Sequence, residues 1–203
     1  MVQTDKNTEQ KILDAAAEIF HMKGFDGARM QEIAHHAGIN KGLLHYYFKS
    51  KDSLFDAIFS IALNQIVARI VVILHQDLTL NEKIDGIVDQ YMDLLIKNPI
   101  LPQFVLNELS KDADRFIGKH FNEMAKSAFS EFSLSVEQEI AKGAIRQVNA
   151  HQLFTNLMSL IMFPFVGRPI LQTVFGVDNQ EYNHLLELRK AHIKEFLKIA
   201  VRS

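Results

Sequence analysis

The sequence predicts an all-α protein, and three observations carry the prediction. Apolar residues recur at helical spacing almost from end to end, and no segment of useful length alternates as a strand does. Only four prolines and nine glycines interrupt the 203 residues, so helices have room to be long. Residues 30–48 read as two short helices meeting at a three-residue turn. The expected architecture is a three-helix N-terminal head containing that helix-turn-helix. A long fourth helix joins it to a C-terminal helical body, about nine helices in all.

The first helix is expected to begin near Asn7 or Thr8, where Asn7 and Gln10 have the spacing of a capping box. Ile12, Leu13, Ala16, Ile19 and Phe20 give it one apolar stripe. Gly24 should end it as a left-handed cap, with Phe25 packing back on Phe20. A second helix over 30–37 stops at Gly38, and Asn40 is a good N-cap for a third over 41–48. Ser50 caps the fourth, expected from Lys51 to about His75. Its second half is apolar almost all round and calls for burial on more than one side. Further helices are expected over 80–97, stopped by "NPILP", and over 103–111. A long one follows over 113–142, ended by Gly143, then 150–163, broken by "PFVGRP", and 182–201. The one candidate boundary is the joint at 48–51, which lacks a flexible linker. Residues 6–51 and 52–203 are therefore read as two rigidly joined domains.

Composition excludes several classes of function. Without cysteine there is no disulfide, thiolate chemistry or cysteine-bound zinc. The opening "MVQTDKNTEQKIL" is not a signal peptide. The most apolar stretch, "IVARIVVILHQ", is cut by Arg69 and too short to span a bilayer. A cytoplasmic protein without a membrane partner is the expectation. The net charge of −2 does not suit a general polyanion binder, yet Arg29, Lys41, Lys49 and Lys51 face only Glu32 within 29–51. Such an excess suits DNA but also any solvated face.

The helix-turn-helix reading rests on residue types at fixed positions. Ala34 is small where the helices must touch, and Gly38 tolerates the positive φ of the turn. Ile33, Ala37, Ile39, Leu44 and Tyr47 are apolar where the interior needs them. On the third helix, Leu44, Tyr47 and Phe48 share the inward face. Gly42 and Tyr46 lie nearly opposite, flanked by Leu43 and His45, with Lys41 on the exposed first turn. An outward glycine costs about 1 kcal/mol relative to alanine and is easiest to explain where the backbone approaches something closely. This acid-free face suits a DNA major groove, the lysine and helix start meeting phosphate or guanine edges and Leu43 a thymine methyl. Leu43 and Tyr46 could also be ordinary surface residues. Tyr47 has a core ring whose hydroxyl could reach a phosphate.

These segments resemble the tetracycline-repressor (TetR) family of one-component bacterial regulators. The resemblance runs through "ILDAAAEIFHMKGFDGARMQEIAHHAGINKGLLHYYFKSKDSLF", residues 12–55, and weakens after about residue 60. It implies a homodimer whose third helices read a palindromic double-stranded operator, and a ligand pocket in the body for a small lipophilic effector. It further implies phosphate contacts from the start of the second helix, from Tyr47 and from Lys51. Three positions depart from the family's usual residues: Arg29 in place of Ser or Thr, Leu43 in place of Thr, and His45 in place of Tyr. Arg29 could still hold a phosphate, and a protonated His45 would favour DNA. The DNA-binding candidates are thus Arg29, Lys41, Gly42, Leu43, His45, Tyr46, Tyr47 and Lys51.

The body is less explicit. By family analogy the effector candidates are Phe59, Asn64, Tyr91, Gln103, Asn107, Phe116, His120 and Phe163, although aromatics at helical spacing also fit a plain core. The last helix carries two apolar rows, Leu185–Leu188–Phe196–Ile199 and Leu186–Ile193–Leu197–Ala200, and "LFTNLMSLIMFPF" is equally over-apolar. Either both are buried within the monomer, or they build a four-helix dimer interface including Leu157, Ile161, Leu185, Leu188, Phe196 and Leu197. No catalytic motif, metal-ligand cluster or cofactor loop is found; His120–Asn122–Glu123 and His184–Glu187 lack convincing partners. The expectation is a ligand-released repressor without cofactor and not an enzyme. The rivals are an adaptor acting through a protein partner and a helical lipid or small-molecule binder with little DNA affinity.

Overall fold

The computed structural model describes residues 2–121 and 123–202, and among these every regular element is a helix. The helices are α1 (Val2–Gly27), α2 (Met30–His36), α3 (Lys41–Tyr47), α4 (Lys51–His75) and α5 (Leu80–Lys97). They continue with α6 (Leu101–His120), α7 (Glu123–Ala141), α8 (Ala150–Val166), α9 (Arg168–Phe175) and α10 (Asn179–Val201). The chain forms two compact units, Met1–Asn64 and Gln65–Ser203, and the division falls inside α4.

In the first unit α1 starts at Val2, so Asn7 is an interior helical residue and not the expected cap. No glycine or proline stands before it to delay the helix. At Gly24 the backbone takes φ 70° and ψ 175°, a region open essentially to glycine alone, before one more helical turn. The break is where the sequence puts it, but the conformation is not the left-handed helical cap. Phe25 then stacks on Phe20 with centroids 5.8 Å apart, and Phe55 of α4 meets the two rings edge-on at 4.9 and 5.4 Å. Offset and edge-to-face aromatic contacts add to what their buried area contributes. Gly38 has φ 68°, and Ile39 N–H donates to the Ala34 carbonyl at 3.0 Å, the long bond of a Schellman turn. Asn40 Oδ1 accepts the Leu43 N–H at 2.8 Å and caps α3. Ser50 and Ser53 exchange backbone-to-hydroxyl bonds of 3.1 Å at the start of α4.

In the second unit α8 is the hub, packing on α5, α6, α7, α9 and α10. Leu157 and Ile161 of α8 and Leu197 of α10 have no exposed surface, so the monomer's own core uses them. They cannot meet a partner copy, which corrects three of the expected interface residues. The sequence boundaries also change, α10 for example starting at Asn179 and not at 182. The expected helix over 113–142 is split, since 113–120 belong to α6 and α7 starts at Glu123. The break expected near 112 survives as a kink: Asp112 takes φ −161°, and its carboxylate accepts the Arg115 N–H at 3.1 Å, restarting the helix. Finally, α8 runs through Pro164 to Val166, then bends by 72° into α9, which the sequence reading left out.

Pro164 has no N–H for the Leu160 carbonyl one turn back. Arg189 Nε of α10 donates to that carbonyl at 3.2 Å, and Tyr182 donates its hydroxyl to the Pro164 carbonyl at 2.7 Å. The helix tolerates its proline because another helix supplies the missing donor. By length and composition α4 is apolar enough to cross a bilayer, more than its interrupted run suggested, and only 17% of its most apolar window is buried.

Candidate nucleic-acid interface

The α3 helix sorts its residues sharply. Leu44 is 0% exposed and Phe48 is buried, while Lys41, Gly42, Leu43, His45 and Tyr46 all stand out from the surface, Tyr46 at 77% exposure. Tyr47 is half-buried and lies edge-on to Tyr46 at 5.5 Å. The exposed residues therefore form one continuous face of cation, bare backbone, leucine, imidazole and phenol. Its shape and chemistry fit base edges in a groove. Glu32, the acid of this segment, is ion-paired with Lys23, and His36 is 2.6 Å from Glu18. No carboxylate stands on α3.

Arg29 is exposed at the N-cap position of α2, with extended backbone, which places a solvent-exposed cationic residue at that helix start. Lys51 has partners within the chain that the sequence does not disclose. Its ammonium donates to the Phe25 carbonyl at 2.7 Å and the Ala28 carbonyl at 3.3 Å, and sits 4.5 Å above the Phe25 ring. A lysine has three donors, and the Phe25, Asp26 and Ala28 carbonyls at and just beyond the end of α1 lie within their reach, which gives Lys51 a structural role. The sequence signal was the basic residue itself; the carbonyls it closes are not visible without the fold.

The body candidates do not form one cluster. Phe116 is buried with its ring 4.7 Å from that of buried His120, and Phe104 lies 6.1 Å away. Asn122 lies outside the described residues. Tyr91 is half-buried, and burial pushes its phenol up to about 12. Gln103 and Asn107 are exposed and 3.4 Å apart on α6. Phe59 is buried and Asn64 exposed. Phe163 is exposed and lines an apolar groove of about 520 Å³ with Leu171, Phe175, Leu185 and Leu188. Tyr182 and Arg189 form that groove's polar edge, and the sequence reading named neither. Their available signal was Pro164, which promises an orphaned carbonyl inside an apolar helix.

Fold and exposed α3 face together define a helix-turn-helix DNA-binding protein with a separate helical C-terminal unit. Residues 12–58 match the family described as bacterial regulatory proteins, tetR family, and residues 81–196 match the tetracyclin repressor-like C-terminal domain. The chain thus belongs to the TetR family and is a DNA-binding transcriptional regulator with a ligand-binding C-terminal domain. Among its relatives, the fatty acid metabolism regulator protein of Bacillus subtilis (strain 168) is 23% identical over 184 residues, 88% of this chain and 91% of that one. The solved Bacillus subtilis FadR in complex with stearoyl-CoA has the same fold. It gives a TM-score of 0.66 at 21% identity, covering 93% of this chain and 96% of that chain. A TetR/AcrR-family regulator from Thermobifida fusca gives 0.68 at 18% identity, covering 93% and 97%.

Proposed function

We propose that this chain is a homodimeric repressor that holds a palindromic operator and lets go when a long-chain acyl effector fills its body. The observation that carries the DNA half is the outward face of α3, with Tyr46 and Lys41 free and Leu44 anchoring the helix behind them. Residues 6–51 would read the operator, and residues 52–203 would hold the effector and the partner copy, in the cytoplasm. Arg29 and Tyr47 would hold phosphates, while Lys41, Gly42, Leu43, His45 and Tyr46 meet bases.

A dimer is supported by the exposed row on α10, where Leu188 and Phe196 are 55% and 52% exposed beside Leu185 and Ile199. Phe163 and Phe175 extend it, a contiguous apolar surface of the kind that marks interaction sites. Two heads also suit half-sites one helical turn apart, ~34–36 Å. For the effector, the sparsely buried apolar length of α4 and the acyl-CoA bound by the B. subtilis relative point the same way. Within residues 65–203, Tyr91, Phe116 and His120 are the side chains that would meet it. An effector can release DNA only by binding the released arrangement more tightly.

Selection of bound sequences from a random duplex pool, with and without stearoyl-CoA, tests both halves. The expected result is a palindromic consensus, lost with the acyl-CoA and weakened by Lys41→Ala and Tyr46→Ala. Binding without sequence preference would favour an adaptor. Tight acyl-CoA binding without DNA affinity at low salt would favour a ligand carrier.

A further inference from the structure

The turn between α4 and α5 borders a polar recess of about 300 Å³, walled by the end of α4, the start of α5 and the second half of α7. Lys83 lines it and is only 8% exposed. Its ammonium donates to Ser135 Oγ at 3.1 Å, and Ser135 uses its own proton on the Glu131 carbonyl at 2.9 Å. That single acceptor leaves two of the three ammonium donors for whatever fills the recess. The recess carboxylates are engaged elsewhere or not at all. Glu139 pairs with Lys142 at 2.8 Å, and Glu131 is 3.8 Å from His75 Nε2. Among the described residues no carboxylate pairs with Lys83, although a buried cation is stable only when paired.

The sign pattern restricts the occupant. A simple anion on Lys83 would meet Asp77 and Glu131 in the same recess, where Glu139 is already answered by Lys142. A simple cation would satisfy those acids and leave Lys83 as it is. A molecule with both charges satisfies both walls, and the volume suits one of amino-acid size. We propose that this recess binds a small zwitterion of the α-amino-acid type. Its carboxylate would sit on the two remaining donors of Lys83, and its ammonium would face Glu131 and Asp77. This site is separate from the operator face and from the acyl effector, and stands without either reading.

The test uses the full chain, the standard L-amino acids as probes, and sodium acetate and methylammonium chloride as single-charge controls at matched ionic strength. Thermal shift and calorimetry should give saturable binding of at least one amino acid and none of either control. Lys83→Met should weaken that binding at least about tenfold with the helical circular dichroism unchanged. Glu131→Gln, which keeps the side chain's size, should do the same and serves if Lys83→Met does not fold. The proposal is overturned if no amino acid binds, if acetate binds as well as the best of them, or if Glu131→Gln binds like wild type. A water-filled recess is then all that remains.

Discussion

Lys194 Nζ lies 2.6 Å from Asp89 Oδ1, the middle rung of a ladder between α10 and α5. Lys198 with Asp85 at 2.6 Å and Lys190 with Asp93 at 2.5 Å are the outer rungs. Each helix spaces its charges by four residues, so all three rungs repeat one antiparallel register. Burial tends to lower the Lys190 ammonium, but Asp93 and Glu187 outweigh it and raise the group above its usual value. A part-exposed pair of this kind contributes about 0.2–1 kcal/mol, so the ladder sets register more than it adds stability. Lys194→Glu should place like charges side by side and lower stability by about 1–2 kcal/mol, and Asp89→Lys added to it should restore most of that. Urea unfolding of the two single variants and the double would measure the coupling. Additive losses would remove the rung.

Arg189 and Pro164 form a second coupled pair through the Leu160 carbonyl. Arg189→Met leaves that carbonyl without a donor, at a cost of about 1–3 kcal/mol. Pro164→Ala returns a backbone N–H that can serve it within α8. The arginine substitution should therefore cost clearly less in the Pro164→Ala background. Equal cost in both would show that Arg189 contributes through packing alone.

These two relationships mark the limit of what was legible in the chain. Asn40, Gly38 and Leu44 were readable because a cap, a positive-φ turn and an inward leucine are set by neighbours within a few residues. The two α10 rows were readable from helical spacing, but their different fates were not: Leu186, Ile193 and Leu197 are buried, while Leu185, Leu188, Phe196 and Ile199 stand exposed. The ladder's spacing of four stood in both helices, but choosing α5 as the partner of α10 needs the topology. The break between α6 and α7 carries no glycine or proline, so continuous periodicity bridged it. The structural partners of Lys51 were hidden because the Phe25 and Ala28 carbonyls it meets lie 26 and 23 residues away in sequence.

Tyr91 gives a pH prediction. Burial holds its phenol protonated up to about 12, whereas in the unfolded chain it ionises near 10. Between those values the folded state binds the extra proton, so the group's stabilisation is intact below pH 10 and is lost as pH rises toward 12, on the order of 2 kcal/mol. Tyr182, raised by burial too, follows the same sign. Ultraviolet titration should show a late phase that Tyr91→Phe reduces. A single phase near 10 would contradict the enclosure of this hydroxyl.

Lys51→Gln separates a structural lysine from a phosphate contact. Losing charged hydrogen bonds to the Phe25 and Ala28 carbonyls and the contact above the Phe25 ring should destabilise the first unit by about 2 kcal/mol. Hydrogen exchange of the α1 amides would report it. The slope of operator affinity against salt should stay as in wild type, because no counterion-releasing contact is removed. A slope reduced by about one ion with unchanged exchange would return Lys51 to the phosphate role.

Gly42 has two competing explanations, and one substitution divides them. A methyl at this position would come within 3.2 Å of Asn40 Oδ1, the oxygen that accepts the Leu43 N–H and caps α3. Crowding that cap costs up to about 1 kcal/mol. Alanine returns about the same amount in helix propensity, so Gly42→Ala should leave thermal stability nearly unchanged. Operator binding has no such compensation. If the bare backbone of α3 lies against base edges, the added methyl holds the helix off the groove, and affinity should fall about tenfold, ~1.4 kcal/mol. Fluorescence anisotropy with the selected operator would measure it. Unchanged affinity together with reduced stability would assign the glycine to the cap and leave Lys41 and Tyr46 as the groove-facing residues of that helix.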